Sequence, residues 1–458
     1  MKQSFGIMLF FRYNKKMIIR IRDNQTLWSA LKENGIELDR PCAGNGTCGQ
    51  CRVLIEGLGL VKSCSFDRPG AYNVIVPQQV DFDSIMEHTF SDHMEGKGSW
   101  DSQDNCDSQD NWDSQPVAAI DVGTTTVALR VFHQGQYFEK GFVNPQRSYG
   151  ADVMTRIRRA NEGDTQIMKE LLWQQLQNYG LDEDFSGRLI VSANTTMQHI
   201  MSGLSCQGLG QAPFSPVDIS LREEEVGNMA ITYLPGISTY VGADIVSGLY
   251  SLDILHRDKP ILLIDLGTNG EMAIGCKDRV VVTSAAAGPA FEGSELAMRL
   301  HGSGIIKLIS HMLHQGIIDQ YGTLSDQYFE TGYPTAAGMN ISQDNIRDIQ
   351  MAKAAIRAGV ELLLMCYGVR AEELEQVYLA GGMGYYLDPQ HALDIGLLPA
   401  GIGSIRAIGN SSLAGAQKYA MTGDKQSLID IVSRSEEIVL ADQAEFEDLY
   451  VEHMNFNN

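Results

Sequence analysis

Along residues 15–23, KKMIIRIRD, apolar and polar positions come close to alternating, which predicts a strand. The next stretch, NQTLWSALKENGI, shifts to helical spacing, with Asn24 or Thr26 as cap and Gly35 at the end. CRVLIEG and AYNVIVP return to strand texture, and the second closes near Pro77. Strand, helix and further strands within about 77 residues fit a small β-grasp unit. From Pro116 the pattern becomes α/β. VAAIDVGTTTVALRVF predicts strand, glycine turn and strand, and GRLIVSANTTMQHIMSGL predicts strand, turn and helix. KPILLIDLGTNGEMAIG repeats the first of these patterns with Asp265 matching Asp121 and Gly267 matching Gly123, a weak internal duplication. An amphipathic helix over about Ser342–Gly368 then leads into the strand of QVYLAGGMG.

One segment fits neither pattern. Between Asp81 and Gln115 stand ten acidic residues and one lysine, with WDSQDN, CDSQDN and WDSQ in tandem. Such a tract has too little apolar surface to fold alone and is expected to be a flexible tether. The expected division is a unit over 1–80, the linker over 81–115, and two lobes over 116–255 and 256–445.

The chain has 458 residues, 44% of them apolar and 20% charged, as in ordinary globular proteins with two or three domains. A net charge of −22 argues against nucleic acid or an anionic membrane surface as the main partner. No apolar run reaches the roughly 18 residues of a membrane helix. The opening residues suit a first strand rather than a signal peptide, so a cytoplasmic location is expected. There, clustered cysteines point to metal or redox chemistry rather than disulfides.

Four of the eight cysteines fall in RPCAGNGTCGQC and shortly after it, at Cys42, Cys48, Cys51 and Cys64. The other four are dispersed, and Cys106 replaces a repeat tryptophan in the acidic tract. The small residues Ala43, Gly44, Gly46 and Gly49 allow the loop to wrap a cluster and aim N–H groups at its sulfurs. Four thiolates also suit tetrahedral zinc, but zinc sites usually pair two C-x2-C knuckles and only one is present. The spacing favours a 2Fe–2S cluster and resembles plant-type and adrenodoxin-type ferredoxins, although Cys64 follows sooner than in either.

DVGTTT (Asp121–Thr126) and DLGTNGE (Asp265–Glu271) each follow an apolar strand. Gly123 and Gly267 permit a tight turn, and Thr124, Thr125, Thr268 and Asn269 bring N–H and hydroxyl groups to a phosphate. Asp121 and Asp265 sit where a carboxylate orders Mg²⁺ waters, and Asp265 and Glu271 are the catalytic candidates. With LAGGMG as a later glycine turn, the set resembles the actin, sugar kinase and heat-shock chaperone ATPase superfamily. That resemblance implies ATP with Mg²⁺, and adenosine contacts at Gly381, Gly382 and Gly384. VGADIVSGL takes the place of the connecting helix. Asn194, Thr195 and Thr196 either cap a helix or face the cleft, with the cleft favoured. Glu292 either caps a helix or meets nucleotide or partner. His199 and Met201 suit helix-face packing.

NPQRSYGADVMTRI, SANTTMQHIMSGL, AAAGPAFEG and MAKAAIRAGVELLL resemble ATP-dependent reductive activators of corrinoid proteins. The resemblance implies a 2Fe–2S ferredoxin domain joined to an actin-like ATPase. It also implies electron transfer to the inactive Co(II) corrinoid of a methyltransferase-system protein, an upstream electron donor and a possible homodimer. No room is apparent between the acidic tract and AIDVGTTT for the extra middle domain that some members carry. The alternatives are a sugar-type kinase, an ATP-gated activator of another enzyme, and a cofactor-reactivating chaperone.

Overall fold

The structure is a computed structural model that describes residues 13–36, 38, 51–56, 58–77, 115–133, 136–288, 290–291, 294–335, 338–381 and 387–456. Cys42, Cys48, Cys106, Glu292, Gly382, Gly384 and all of the 81–115 tract except Gln115 lie outside the described residues.

The N-terminal unit is built on β1 (Tyr13–Ile21), β2 (Arg52–Ile55), β3 (Gly59–Lys62) and β4 (Gly70–Pro77). They form one sheet in the order β1-β4-β2-β3. The helix Leu27–Glu33 is capped by Thr26, whose hydroxyl accepts from the Ser29 N–H at 3.3 Å. Asn24 instead takes a left-handed turn conformation with φ 61°, which removes it from the cap. Leu27, Trp28 and Leu31 on the helix pack with Ile19, Ile21, Val53, Ile55, Val74 and Val76 from the strands. The Trp28 indole N–H donates to the Leu38 carbonyl at 2.9 Å, which satisfies the one polar group of that ring.

The remainder of the chain carries two six-stranded sheets. The first uses β5 (Val117–Val122), β6 (Thr126–His133), β7 (Gln136–Val143), β8 (Gly187–Ala193), β9 (Arg222–Val226) and β10 (Met229–Tyr233). The second uses β11 (Ile261–Leu266), β12 (Gly270–Gly275) and β13 (Val280–Ala285), then, beyond a small separate hairpin of β14 (Tyr333–Pro334) and β15 (Asn340–Ile341), β16 (Gln376–Ala380), β17 (Ile405–Gly409) and β18 (Ser435–Glu437). Their orders are β7-β6-β5-β8-β10-β9 and β17-β16-β11-β12-β13-β18. In each, an antiparallel three-strand meander continues through two parallel strands added beside its first strand. The duplication in the sequence is thus a duplication of topology.

β5 and β11 are central in their sheets and covered on both faces. Their apolar residues form continuous runs instead of alternating, and Ile261, Leu262, Leu263 and Ile264 are all fully buried. Each such side chain contributes roughly 1.5–3 kcal/mol of burial free energy. The helix Gln343–Tyr367, capped by Ser342 and closed by Gly368 at φ 87°, packs on β12 and β13. The helix Ser411–Thr422 follows β17 but packs against β5, β8 and the helix Ala243–Ser251 of the first sheet. A Cβ on Gly415 would stand 2.0 Å from the Ser247 carbonyl oxygen, so the two helices cross nearly in backbone contact. Among the described residues no helix is long and apolar enough to cross a membrane.

Candidate nucleotide cleft and thiol site

The β5–β6 and β11–β12 turns carry the two predicted phosphate loops, and the fold sets them face to face. The Thr125 and Thr268 hydroxyl oxygens are 2.7 Å apart. Each turn is closed by its own backbone, Gly123 N–H to the Thr126 carbonyl at 2.9 Å and Gly267 N–H to the Asn269 carbonyl at 3.0 Å. Thr124 and Thr268 are buried, at 7% and 8% exposure.

Asp121 is the second-to-last residue of β5, opposite Ser192 of β8, and Asp265 the second-to-last of β11, opposite Ala380 of β16. Directly after Ala380, Gly381 has φ 88°, and a Cβ there would stand 2.6 Å from Asp265 Oδ1. Only glycine fits that approach. Glu271 lies across from Asp265 in the β11–β12 register, its carboxylate 3.2 Å from the Asn269 amide nitrogen. Burial, then the charges of Asp244 and Asp265, hold the Glu271 carboxyl well above the usual carboxylate range. Burial, then Asp121, raises Asp244 to about 7. Burial also raises Asp121, against hydrogen bonds from Ser412 and Asn410.

Asp121, Asp244, Asp265 and Glu271 are electrostatically linked neighbours in one acidic cluster. Among the described residues no three His, Cys, Asp or Glu side chains converge closely enough to hold one bare metal ion. The arrangement instead suits hydrated Mg²⁺, which keeps several waters and is held through them.

Three elements of this cleft were not assigned from the sequence. Asp244 starts the helix Ala243–Ser251, which approaches so closely that a Cβ on Gly242 would lie 2.6 Å from Asn194 Cα. Asn410 caps the helix Ser411–Thr422 and donates its amide N–H to Asp121 at 2.7 Å. Ser412 donates to the other Asp121 oxygen at 2.7 Å, and Ser192 and Ser247 extend this hydroxyl chain at 2.8 and 2.9 Å. The available signal was NSS at 410–412 after a strand, which mirrors NTT at 194–196.

Asn194 caps a helix and also contacts the first turn. Its carbonyl oxygen caps the helix Thr195–Ser202 by accepting the Met197 N–H at 2.9 Å, and its amide donates to the Thr124 hydroxyl at 3.1 Å. Thr195 turns elsewhere and donates to the Ser238 carbonyl at 2.6 Å. His199 is buried, with Nδ1 2.8 Å from the Thr195 carbonyl and Nε2 accepting the Val217 N–H at 3.1 Å. Burial lowers its pKa, as suits a neutral packing histidine. A separate cavity of about 550 Å³, lined by Lys307, His311, His314, Tyr333, His391 and Asp394 among others, contains none of the predicted residues.

In the N-terminal unit, the β2–β3 pairing returns the chain to its start. The Ser63 N–H donates to the Cys51 carbonyl at 3.0 Å, which brings the turn carrying Cys64 alongside Cys51. Cys51 is fully buried and Cys64 half-buried in the same core. Two thiols thirteen residues apart in the chain and packed in one core fit a shared cluster.

Comparison with known proteins finds matches in three successive stretches of the chain. Residues 11–67 match the family described as "2Fe-2S iron-sulfur cluster binding domain". Residues 117–257 match "RACo middle region", and 259–300 and 297–458 match "C-terminal domain of RACo the ASKHA domain". The chain belongs to the family of corrinoid reductive activators. The region described as the middle region begins at 117, directly after the acidic tract, and coincides with the first six-stranded sheet.

Among the family's relatives, the chain is 29% identical to "Corrinoid activation enzyme RamQ" of Eubacterium limosum, over 74% of this chain and 70% of that one. It is 25% identical to "[Co(II) methylated amine-specific corrinoid protein] reductase" of Methanosarcina barkeri, over 53% and 54%. The solved structure "Reductive activator for corrinoid,iron-sulfur protein" shares its fold, with a TM-score of 0.67 and 23% identity over 96% of this chain and 98% of that one.

Proposed function

We propose that this protein uses ATP to drive one electron onto the inactive Co(II) corrinoid of a methyltransferase-system protein and restore Co(I). The observation that carries the proposal is the facing pair of phosphate turns at Thr125 and Thr268, on the same chain as a four-cysteine module. A kinase cleft alone leaves the cysteines unexplained, and a ferredoxin alone leaves the cleft unexplained.

Cys42, Cys48, Cys51 and Cys64 hold the 2Fe–2S cluster, which when bound supplies single electrons near −400 mV for the plant type. The two turns hold the phosphates, Asp121 and Asp265 order Mg²⁺ waters, and the glycines from Gly381 meet the adenosine. Cobalt in the implied acceptor is harder to reduce than the cluster, so binding must shift its couple. Each tenfold preference for the reduced state moves a one-electron couple by about 59 mV. Closure around ATP supplies that preference by binding the corrinoid protein in an altered ligation state. Residues 81–115 tether the module over 1–80 to lobes over 116–255 and 256–445, so that it reaches donor and acceptor in turn. An upstream electron donor, a homodimer and a cytoplasmic location complete the proposal.

The test is Co(I) absorbance formed per ATP on anaerobic mixing with a Co(II) corrinoid protein. The expected result is ATP-dependent Co(I) with matching bleaching of the cluster. ATP turnover with cofactor release and an unchanged cluster would identify a reactivating chaperone instead.

A further inference from the structure

The segment Asn144–Arg156 touches the first phosphate loop at three consecutive carbonyls. The Asn144 side-chain amide donates to Gly123 O at 2.8 Å, and its backbone N–H donates to Thr125 O at 2.8 Å. Between them, Arg156 Nη2 donates to Thr124 O. Arg156 Nε donates to Gly150 O at 2.9 Å, and its Nη1 contacts the Met197 sulfur, which also lies 3.7 Å from the Asn144 amide. Asn144 and Arg156 are both fully buried.

Arg156 makes an unusual set of contacts for a buried cation. Among the described residues its three hydrogen-bond acceptors are all neutral and it makes no ion pair, and an arginine so buried costs free energy that packing alone does not require. Burial, with Arg147 adding and Asp152 opposing, lowers the guanidinium to about 9, so it keeps its charge at neutral pH. The same fork ties together the loop, the Asn144–Gly150 turn and the start of the helix Thr195–Ser202. With their carbonyls held on this side, Gly123, Thr124 and Thr125 present their other polar groups elsewhere. The Thr124 hydroxyl meets Asn194 and the Thr125 hydroxyl meets Thr268 across the cleft.

We propose that Arg156, braced by Asn144, is a positioning residue that sets the phosphate affinity of the cleft, by turning the carbonyls of the first loop away and placing a buried positive charge behind it. The proposal rests on the loop being a phosphate site. It assigns the arginine to the polyphosphate end of the ligand and not to the base.

Calorimetry with ATP, tripolyphosphate and adenosine on the full chain tests it, using Arg156→Met, Arg156→Lys and Asn144→Ala, with thermal melts alongside. Arg156→Met should weaken ATP and tripolyphosphate by the same factor, about tenfold or more, the size of a lost charged hydrogen bond. Adenosine binding should not change. Arg156→Lys should recover most of the loss through its charge, and Asn144→Ala should lose less, in the same direction. If Arg156→Met does not fold, Arg156→Lys and Asn144→Ala decide, since both must weaken tripolyphosphate more than adenosine. Wild-type affinity for tripolyphosphate in the variants, or equal loss for adenosine, overturns the proposal. Absence of ATP and tripolyphosphate binding by the wild type overturns the phosphate-site reading itself.

Discussion

Thr125 and Thr268 are 143 residues apart in the chain, and their hydroxyl oxygens are 2.7 Å apart. They close the gap between the two turns that are proposed to hold phosphate. Thr125→Val and Thr268→Val should each weaken ATP several-fold. The double variant should lose less than the sum, because the two changes remove one shared contact. A double-mutant cycle by calorimetry measures the coupling, and strict additivity would show that the hydroxyls act separately.

Asp265 and Glu271 face each other across β11 and β12. Glu271 is held toward its protonated form by burial and by Asp244 and Asp265. Glu271→Gln, which mimics that form, should therefore keep ATP hydrolysis within about tenfold. Asp265→Asn should lower kcat by about a hundredfold or more, on the scale of losing one charge-stabilising group in a site of this kind. Steady-state ATPase assays compare the two, and an equal loss in both would make Glu271 a working carboxylate.

The thiol site is tested by colour and iron content. Cys51→Ala and Cys64→Ala should abolish the 2Fe–2S spectrum of anaerobically purified protein, whereas Cys106→Ala should leave it intact. One zinc and no iron in the wild type would replace the cluster by a structural zinc site.

The C-terminal segment predicts a pH dependence of stability. Lys353 is fully buried, donates to the Asn455 carbonyl at 2.5 Å and lies 5.5 Å from the centre of the Phe456 ring. Burial and Arg357 lower it from 10.5 to about 7. Burial, Arg357 and Lys353 lower His453 from 6.5 to about 4. In both cases the folded chain binds fewer protons than the unfolded one, so stability rises with pH across each window. It should be lost as pH falls from about 10.5 to 7, and again from about 6.5 to 4. Urea midpoints between pH 4 and 10 measure this, and Lys353→Met should flatten the upper window and, by removing one of the charges that lower His453, narrow the lower one.

Much of this architecture was legible because it depends on local signals. The runs leading into Asp121 and Asp265 show strand, turn and a candidate carboxylate in one short phrase. Ser342 and Gly368 mark the ends of the long helix, as cap and left-handed stop. The support around the loops was not legible, because it comes from distant residues. Asn410 reaches Asp121 across 289 residues, and no periodicity reports such a contact. Arg156 was hidden by its type, since arginines at helical spacing are normally solvated. The state of Glu271 depends on the β11–β12 register and on Asp244, 27 positions earlier in the chain.

The helix Ser411–Thr422 lies against β5 and β8, and its Asn410 and Ser412 hold Asp121. Proteins leave the ribosome from the N-terminus, so β5 and its aspartate emerge long before this helix exists. Until then the first sheet lacks both its apolar cover and the two donors that steady its carboxylate. Among the described residues the strands of the thiol module end at Pro77, so that module can mature as soon as it emerges. During synthesis, capacity to hold an electron therefore precedes capacity to use ATP, and a truncated or stalled chain yields the first without the second.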